Sequence, residues 1–140
     1  MEVLTRCFLL FSFYLLAMDA GAQSVKESFK ELEQQHKECE KLRADSVNCH
    51  KVYLQQLDSM MLIVFEKVKV DLSPEQKAKV IKEQLSWSAQ KNSFFKKQDE
   101  NFVYNIQEGI WTKDMIKVTY ASKSDFVRKR LLSLLKHVKE

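Results

Sequence analysis

Two histidines and two cysteines lie close together in the first half of the chain. His36 and Cys39 are three residues apart, and Cys49 and His50 are adjacent. Imidazole and thiolate are good zinc ligands, but structural zinc sites space both ligand pairs by two to four residues. The adjacent pair does not fit that spacing, and haem attachment would need a cysteine where Ser46 stands. The pattern therefore favours a disulfide, with zinc binding as the alternative.

The N-terminus indicates export, which bears on the state of the cysteines. Arg6 precedes an apolar run of 12 residues, 7–18, and the small residues Ala20-Gly21-Ala22 follow. This pattern is typical of a secretory signal peptide, and the run is shorter than the roughly 20 residues of a membrane-spanning helix. We predict cleavage after Ala22, a periplasmic or secreted protein, and no stable membrane anchor after cleavage.

Export makes a Cys39–Cys49 disulfide the preferred interpretation, because an even pair of cysteines in an oxidising compartment is usually bridged. One straight helix from residue 39 to residue 49 would hold the two Cα atoms about 15 Å apart. A bridge needs a Cα separation of about 4.4–6.8 Å. We therefore predict that the chain turns within residues 44–48, where Asp, Ser and Asn are frequent.

The composition of residues 23–140 indicates a single all-α domain. Pro74 and Gly109 are its only proline and glycine, whereas sheet proteins need many tight turns. Signal-peptide removal takes away one of 23 basic and two of 19 acidic residues, which leaves a net charge of +5. The basic residues alternate with acidic and polar ones, so neither a nucleic-acid partner nor a lipid-binding tail is indicated.

We predict three to four antiparallel helices, at residues 24–43, 50–70, 74–106 and 111–139, with a further break near residues 122–124 as an open alternative. The second helix carries the widest apolar stripe and should be the most buried. The third helix has the clearest start, because Ser73 and Gln76 fit a capping box with Pro74 at the first helical position. Gly109 fits its C-terminal cap.

The third helix is expected to place one apolar stripe on the core. Val80, Trp87 and Phe94 recur every seven residues. Beside them stand Ile81, Leu85 and Phe95. We predict that Trp87 is a core residue that packs against the second helix, on Leu57, Met61 and Phe65.

The sequence contains no recognisable catalytic motif. It lacks a Gly-x-Ser-x-Gly elbow, a phosphate-binding glycine loop and a His-Glu-x-x-His helix. Asp58, Glu66 and Glu83 stand on predicted helices, where acids are more often solvated or paired than catalytic. We therefore predict a protein that is not an enzyme and has no cofactor.

Two ordered motifs nevertheless suggest a family. The first is Cys39 and Cys49, followed by Leu57-Asp58 and then by the aromatic Phe65. The second runs over residues 72–76, Leu-Ser-Pro-Glu-Gln, and ends in Gln84, Trp87 and Lys91. In both motifs, residues 23–140 resemble the LprI-like family, which is named after the N-terminal domain of the lysozyme inhibitor LprI. Its members are small, exported, helical bacterial proteins. The resemblance covers most of residues 23–140 and implies structural roles for these side chains.

The chain departs from the family pattern at several positions. Phe65 stands where Tyr is usual, Lys91 stands where Arg is usual, and a cysteine often present after the Trp helix is absent. A weaker match covers Ser124, Phe126 and Arg128.

The resemblance implies a non-enzymatic binding protein whose protein partner is a lysozyme or a similar hydrolase. Many lysozymes are strongly basic, so the charge of +5 would oppose a long-range encounter. The alternative function is an envelope metal- or small-ligand-binding protein that uses His36, Cys39, Cys49 and His50. The sequence makes no prediction about oligomeric state.

Overall fold

The computed structural model describes residues 24–42, 47–110 and 112–139. They form four α-helices: α1 (Val25–Leu42), α2 (Val47–Val70), α3 (Pro74–Gln107) and α4 (Lys113–Leu135). These residues contain no strand, and Cys39 is bonded to Cys49. The predicted all-α class and disulfide are therefore confirmed. The predicted signal peptide, most of the predicted turn and Trp111 lie outside the described residues.

Local sequence signals set the ends of α3. The hydroxyl of Ser73 accepts a hydrogen bond from the Gln76 amide, and the Gln76 side chain accepts one from the Ser73 amide, at 3.3 and 3.0 Å. This is the predicted capping box. At the other end, Gly109 has a φ of 73°. Its amide donates to Ile106, and the Ile110 amide donates to the Asn105 carbonyl. These two bonds form a Schellman motif, which favours glycine at this position.

A second capping box, which the sequence analysis did not identify, starts α1. The Glu27 amide donates to the Ser24 hydroxyl at 3.1 Å, and the Ser24 amide donates to the Glu27 carboxylate at 3.3 Å. Helix α2 begins at Val47, three residues before its predicted start. Helix α4 runs unbroken through residues 122–124. The alternative of a break there is wrong, because no proline or glycine interrupts the helix and Lys123 and Ser124 are buried against its neighbours.

The core lies mainly between α2 and α4, which form the most extensive contact among the four helices. Its most deeply buried side chains are Leu57 and Val64 of α2 and Val127 and Leu131 of α4. Helix α1 adds Phe29 and Leu32 to this cluster. As predicted, α2 is the most buried helix, with eight buried residues.

The contacts between helices show their directions. Glu33 contacts Tyr53 and Cys39 is bonded to Cys49, so α1 and α2 run antiparallel. Helices α3 and α4 are also antiparallel, because Gln84 contacts Arg130 and Asp99 contacts Lys123. Among the described residues, no helix is both long and apolar enough to cross a membrane.

Helix α3 lies at the margin of the core and has no fully buried residue. Val80, Trp87 and Phe95 are partly buried and pack against the core. Ile81 and Leu85 are 42% and 68% exposed, so their predicted place on the stripe is wrong. At 3.6 residues per turn they lie about 100° and 140° around the helix from Val80. The buried stripe is therefore narrower than the sequence analysis predicted.

Candidate functional site

The disulfide fixes the end of the α1–α2 pair at which the two histidines stand. The Cα atoms of Cys39 and Cys49 are 5.8 Å apart, within the range that a bridge allows. His36 lies one helical turn before Cys39, and His50 directly follows Cys49. The bridge therefore brings together the two imidazoles that the sequence analysis singled out, but it removes the cysteines as metal ligands.

Glu40 completes a cluster with these histidines. It lies four residues after His36 on α1, so both side chains are on the same helix face. His36 Nε2 is 3.2 Å from His50 Nδ1. The Glu40 carboxylate lies 3.0 Å from His50 Nε2 and 3.8 Å from His36 Nδ1. One ligand atom from each of the three side chains lies within 4.8 Å of the others.

Burial sets the protonation of the cluster. His50 is only 5% exposed, and the ring of His36 stacks on Tyr53 with centroids 4.0 Å apart. Burial lowers the pKa of both histidines, and the opposing effect of the nearby Glu40 carboxylate does not cancel it. Lys117 of α4, with its Nζ 3.9 Å from Glu40, further disfavours a charged imidazole. Both rings are therefore neutral near pH 7, which is the form that binds metals.

A second cluster of polar side chains, Glu33, Tyr53 and Arg128, connects α1, α2 and α4. Arg128 donates from Nε to both carboxylate oxygens of Glu33, at 3.0 and 3.1 Å, and from Nη2 at 2.9 Å. The Tyr53 hydroxyl donates to the same carboxylate. Burial raises the pKa of Glu33, but the hydrogen bonds from Arg128 and Tyr53 outweigh it, so the net pKa is lowered. Burial and Glu33 raise the pKa of Tyr53.

The residues of the two motifs connect α2 to α3. Leu57 is fully buried. The neighbouring Asp58 accepts a 2.5 Å ion-paired hydrogen bond from Lys91. The Lys91 ammonium also lies 5.9 Å from the ring of Trp87 and 5.1 Å from that of Phe95. Attraction between the cation and the ring faces adds to this contact.

The rest of the motif residues contact α4 or the edge of the core. Arg130 donates to the Gln84 side chain at 3.1 Å. Trp87 stacks on Phe126 with centroids 6.0 Å apart. Phe65 packs against the core, with Lys69 4.7 Å from its ring centroid. All of these contacts join helices or cover the core.

The acids that were weighed as catalytic candidates do not converge. Asp58 pairs with Lys91 on the α2–α3 side, whereas Glu66 pairs with Lys69 one turn along α2 at 2.7 Å. Glu83 is exposed and lines a cleft between α3 and α4 near Arg130.

An open groove of about 380 Å³ runs between α1 and α2. Its apolar lining residues are Leu32, Val52, Met60 and Ile63. Its polar lining residues are Ser28, Glu31, Gln35, Gln55, Gln56 and Ser59. Glu31 is the only charged residue among these, so the groove carries no positive charge on a basic protein. The sequence analysis did not identify this surface, because it depends on how the two helices pack.

Comparisons of the chain with protein-family models, with curated proteins and with solved structures give no match.

Sequence reasoning missed Glu40 and Arg128 as partners. The i, i+4 spacing of His36 and Glu40 was the available signal for the first. No sequence signal pairs Arg128 with Glu33, because the two are 95 residues apart.

Proposed function

We propose that the protein is an exported, non-enzymatic binding protein similar to the LprI-like proteins, and that its partner is a lysozyme or a similar hydrolase. The observation that carries this proposal is the groove between α1 and α2. It combines an apolar floor with neutral hydrogen-bonding side chains, as protein-binding surfaces commonly do.

The electrostatics of the groove favour a basic partner. The charge of +5 on residues 23–140 opposes such a partner at long range. Within the groove, however, Glu31 is the only charged lining residue, and it is acidic. A basic hydrolase that docks here meets no like charge from the lining side chains. The repulsion expected from the net charge is therefore weaker at the groove than over the rest of the surface.

The placement of the motif residues supports the family resemblance. Asp58 from the first motif pairs with Lys91 from the second, although 33 residues separate them. Lys91 occupies the position where the family usually has Arg, and it keeps the positive charge that this pair needs. The residues on which the resemblance rests therefore contact one another across two helices in this chain.

The proposal is tested by a cell-wall lysis assay with a panel of c-type, g-type and phage lysozymes. The exported and processed protein should lower the lysis rate of at least one of them in a saturable way. Ile63→Arg places a positive charge in the groove and should weaken inhibition at least tenfold. Leu85→Arg is the matched control, because Leu85 is likewise an exposed apolar helix residue and lies on α3.

Two results would overturn the proposal at different levels. If no lysozyme of the panel is inhibited at high molar excess, the inhibitor function is wrong. If Leu85→Arg weakens inhibition as much as Ile63→Arg does, the groove is not the contact surface. Thermal melts of both variants show whether either substitution disturbs the fold.

A further inference from the structure

The cluster of His36, Glu40 and His50 has the donor set of a zinc site. Two imidazoles and one carboxylate are the protein ligands of many zinc sites that keep a fourth position open. Ligand atoms around a tetrahedral zinc ion lie about 3.3 Å apart, given bonds of about 2.0–2.2 Å. The three ligand atoms here lie within 4.8 Å of one another. The Glu40 carboxylate lies 3.8 Å from His36 Nδ1 and 3.0 Å from His50 Nε2, and both distances are close to that spacing.

The backbone holds these three residues together before any metal binds. His36 and Glu40 share one face of α1, and the Cys39–Cys49 bridge joins this end of α1 to the residue that precedes His50. Ligands that are already placed lose little conformational freedom on binding, so more of the binding energy appears as affinity. The disulfide thus supports the site without supplying a ligand.

His50 is the most buried member of the cluster. Its Nε2 is shielded from solvent and lies 3.0 Å from a Glu40 carboxylate oxygen. This distance is close to the spacing of ligand atoms around a tetrahedral zinc ion.

An entry path and a charge balance are also present. His36 lines a surface cleft of about 220 Å³ beside the disulfide, and the Glu40 side chain is 34% exposed. Lys117 lies 3.9 Å from Glu40, where its ammonium balances the carboxylate. Since the Lys117 side chain is 41% exposed, it can move into solvent when a metal cation takes over this role.

From these observations we infer that His36, Glu40 and His50 bind a zinc ion, with water or a partner side chain as the fourth ligand. Magnesium and calcium prefer sites made entirely of oxygen ligands, so the two imidazoles select against them. The inference does not depend on the proposed hydrolase partner.

The site is tested by titrating the exported and processed protein, purified without a histidine tag, with zinc in the presence of a chromophoric chelator. We expect one zinc ion per chain and no competition from millimolar magnesium. Cobalt should bind at the same place and give the visible absorption of a site with fewer than six ligands. Zinc should also raise the melting temperature.

Three variants make the result specific. His36→Gln and Glu40→Gln should each weaken zinc binding at least tenfold and abolish the zinc-dependent rise in melting temperature. His137→Gln is the matched control, because His137 is exposed and lies beyond the end of α4. Its zinc affinity should equal that of the unmodified protein. Circular dichroism spectra check that each variant is folded.

Two outcomes would overturn the inference. One is the absence of saturable binding at one zinc ion per chain. The other is a loss of affinity in His137→Gln that equals the loss in Glu40→Gln, since this would mean that zinc binds surface histidines without a specific site.

Discussion

Replacing Glu33 tests whether the cluster of Glu33, Tyr53 and Arg128 between α1, α2 and α4 stabilises the fold. Glu33→Ala removes the acceptor of the Tyr53 hydroxyl, which belongs to a buried residue, and of the Arg128 guanidinium. A buried donor that loses its partner costs about 1–3 kcal/mol. Because the Arg128 side chain is 37% exposed, its guanidinium can be solvated by water when Glu33 is absent. Losing this ion pair therefore costs less than losing a buried one. We expect a total loss of about 2–3 kcal/mol.

The same residue should make stability depend on pH. The folded-state pKa of Glu33 lies below its ordinary value of 4.5, because hydrogen bonds from Arg128 and Tyr53 outweigh burial, and the charge of Lys37 acts in the same direction. A group with a depressed pKa stabilises the fold above its unfolded pKa. This stabilisation is lost as the pH falls through the folded pKa. The side chain at this position in the Glu33→Gln variant cannot ionise. The difference in the free energy of unfolding between this variant and the unmodified protein should therefore shrink as the pH falls below 4.5.

The measurement is urea unfolding followed by circular dichroism at pH 7 and at pH 3. Glu31→Gln is the control, because Glu31 is an exposed glutamate two residues away on α1. It should change the free energy of unfolding by less than about 0.5 kcal/mol at either pH. The reasoning fails if Glu33→Gln is as stable as the unmodified protein at pH 7. It also fails if Glu33→Gln lowers the free energy of unfolding equally at both pH values.

Three further perturbations have expected sizes. Cys39→Ser with Cys49→Ser opens a bridge of sequence separation 10 and should lower the free energy of unfolding by about 2–3 kcal/mol, as measured by urea titration. Trp87→Ala should cost about 2–3 kcal/mol, less than the 3–5 typical of a core aromatic because Trp87 is only partly buried. Leu85→Ala, on the exposed face of the same helix, should cost under about 0.5 kcal/mol in the same assay. Lys117→Gln removes a competing cation and should strengthen zinc binding a few-fold in the chelator titration; weaker binding would contradict the role of Lys117.

Local signals account for most of what the sequence predicted correctly. The capping box of Ser73 and Gln76 involves residues three positions apart, so the chain carries all the information needed to recognise it. The disulfide could be predicted because a predicted signal peptide and an even pair of cysteines leave few alternatives. Ser24 and Glu27 form the same kind of box, which shows that the local signal at α1 was present but not recognised.

Features that depend on helix packing were harder to predict. Ile81 and Leu85 are apolar and near the heptad positions, yet the angle around α3 turns them towards solvent. The polar partners show the same limit. Glu40 becomes part of a cluster only because the α1–α2 pairing brings His50 to it. The pairing of Arg128 with Glu33 likewise depends on where α4 lies.

The zinc cluster and the groove are neighbours on the α1–α2 surface, but they can be perturbed separately. The groove and the cleft beside the disulfide share Gln35, Val52 and Gln56 in their linings. Ile63 lines the groove and does not line the cleft, whereas Glu40 belongs to the cluster and lines neither of these two surfaces. If the protein binds zinc but inhibits no lysozyme, the metal site is supported and the proposed hydrolase partner is wrong. Inhibition that survives Glu40→Gln would show that the partner contact does not need the metal, and its loss in Ile63→Arg would place that contact in the groove.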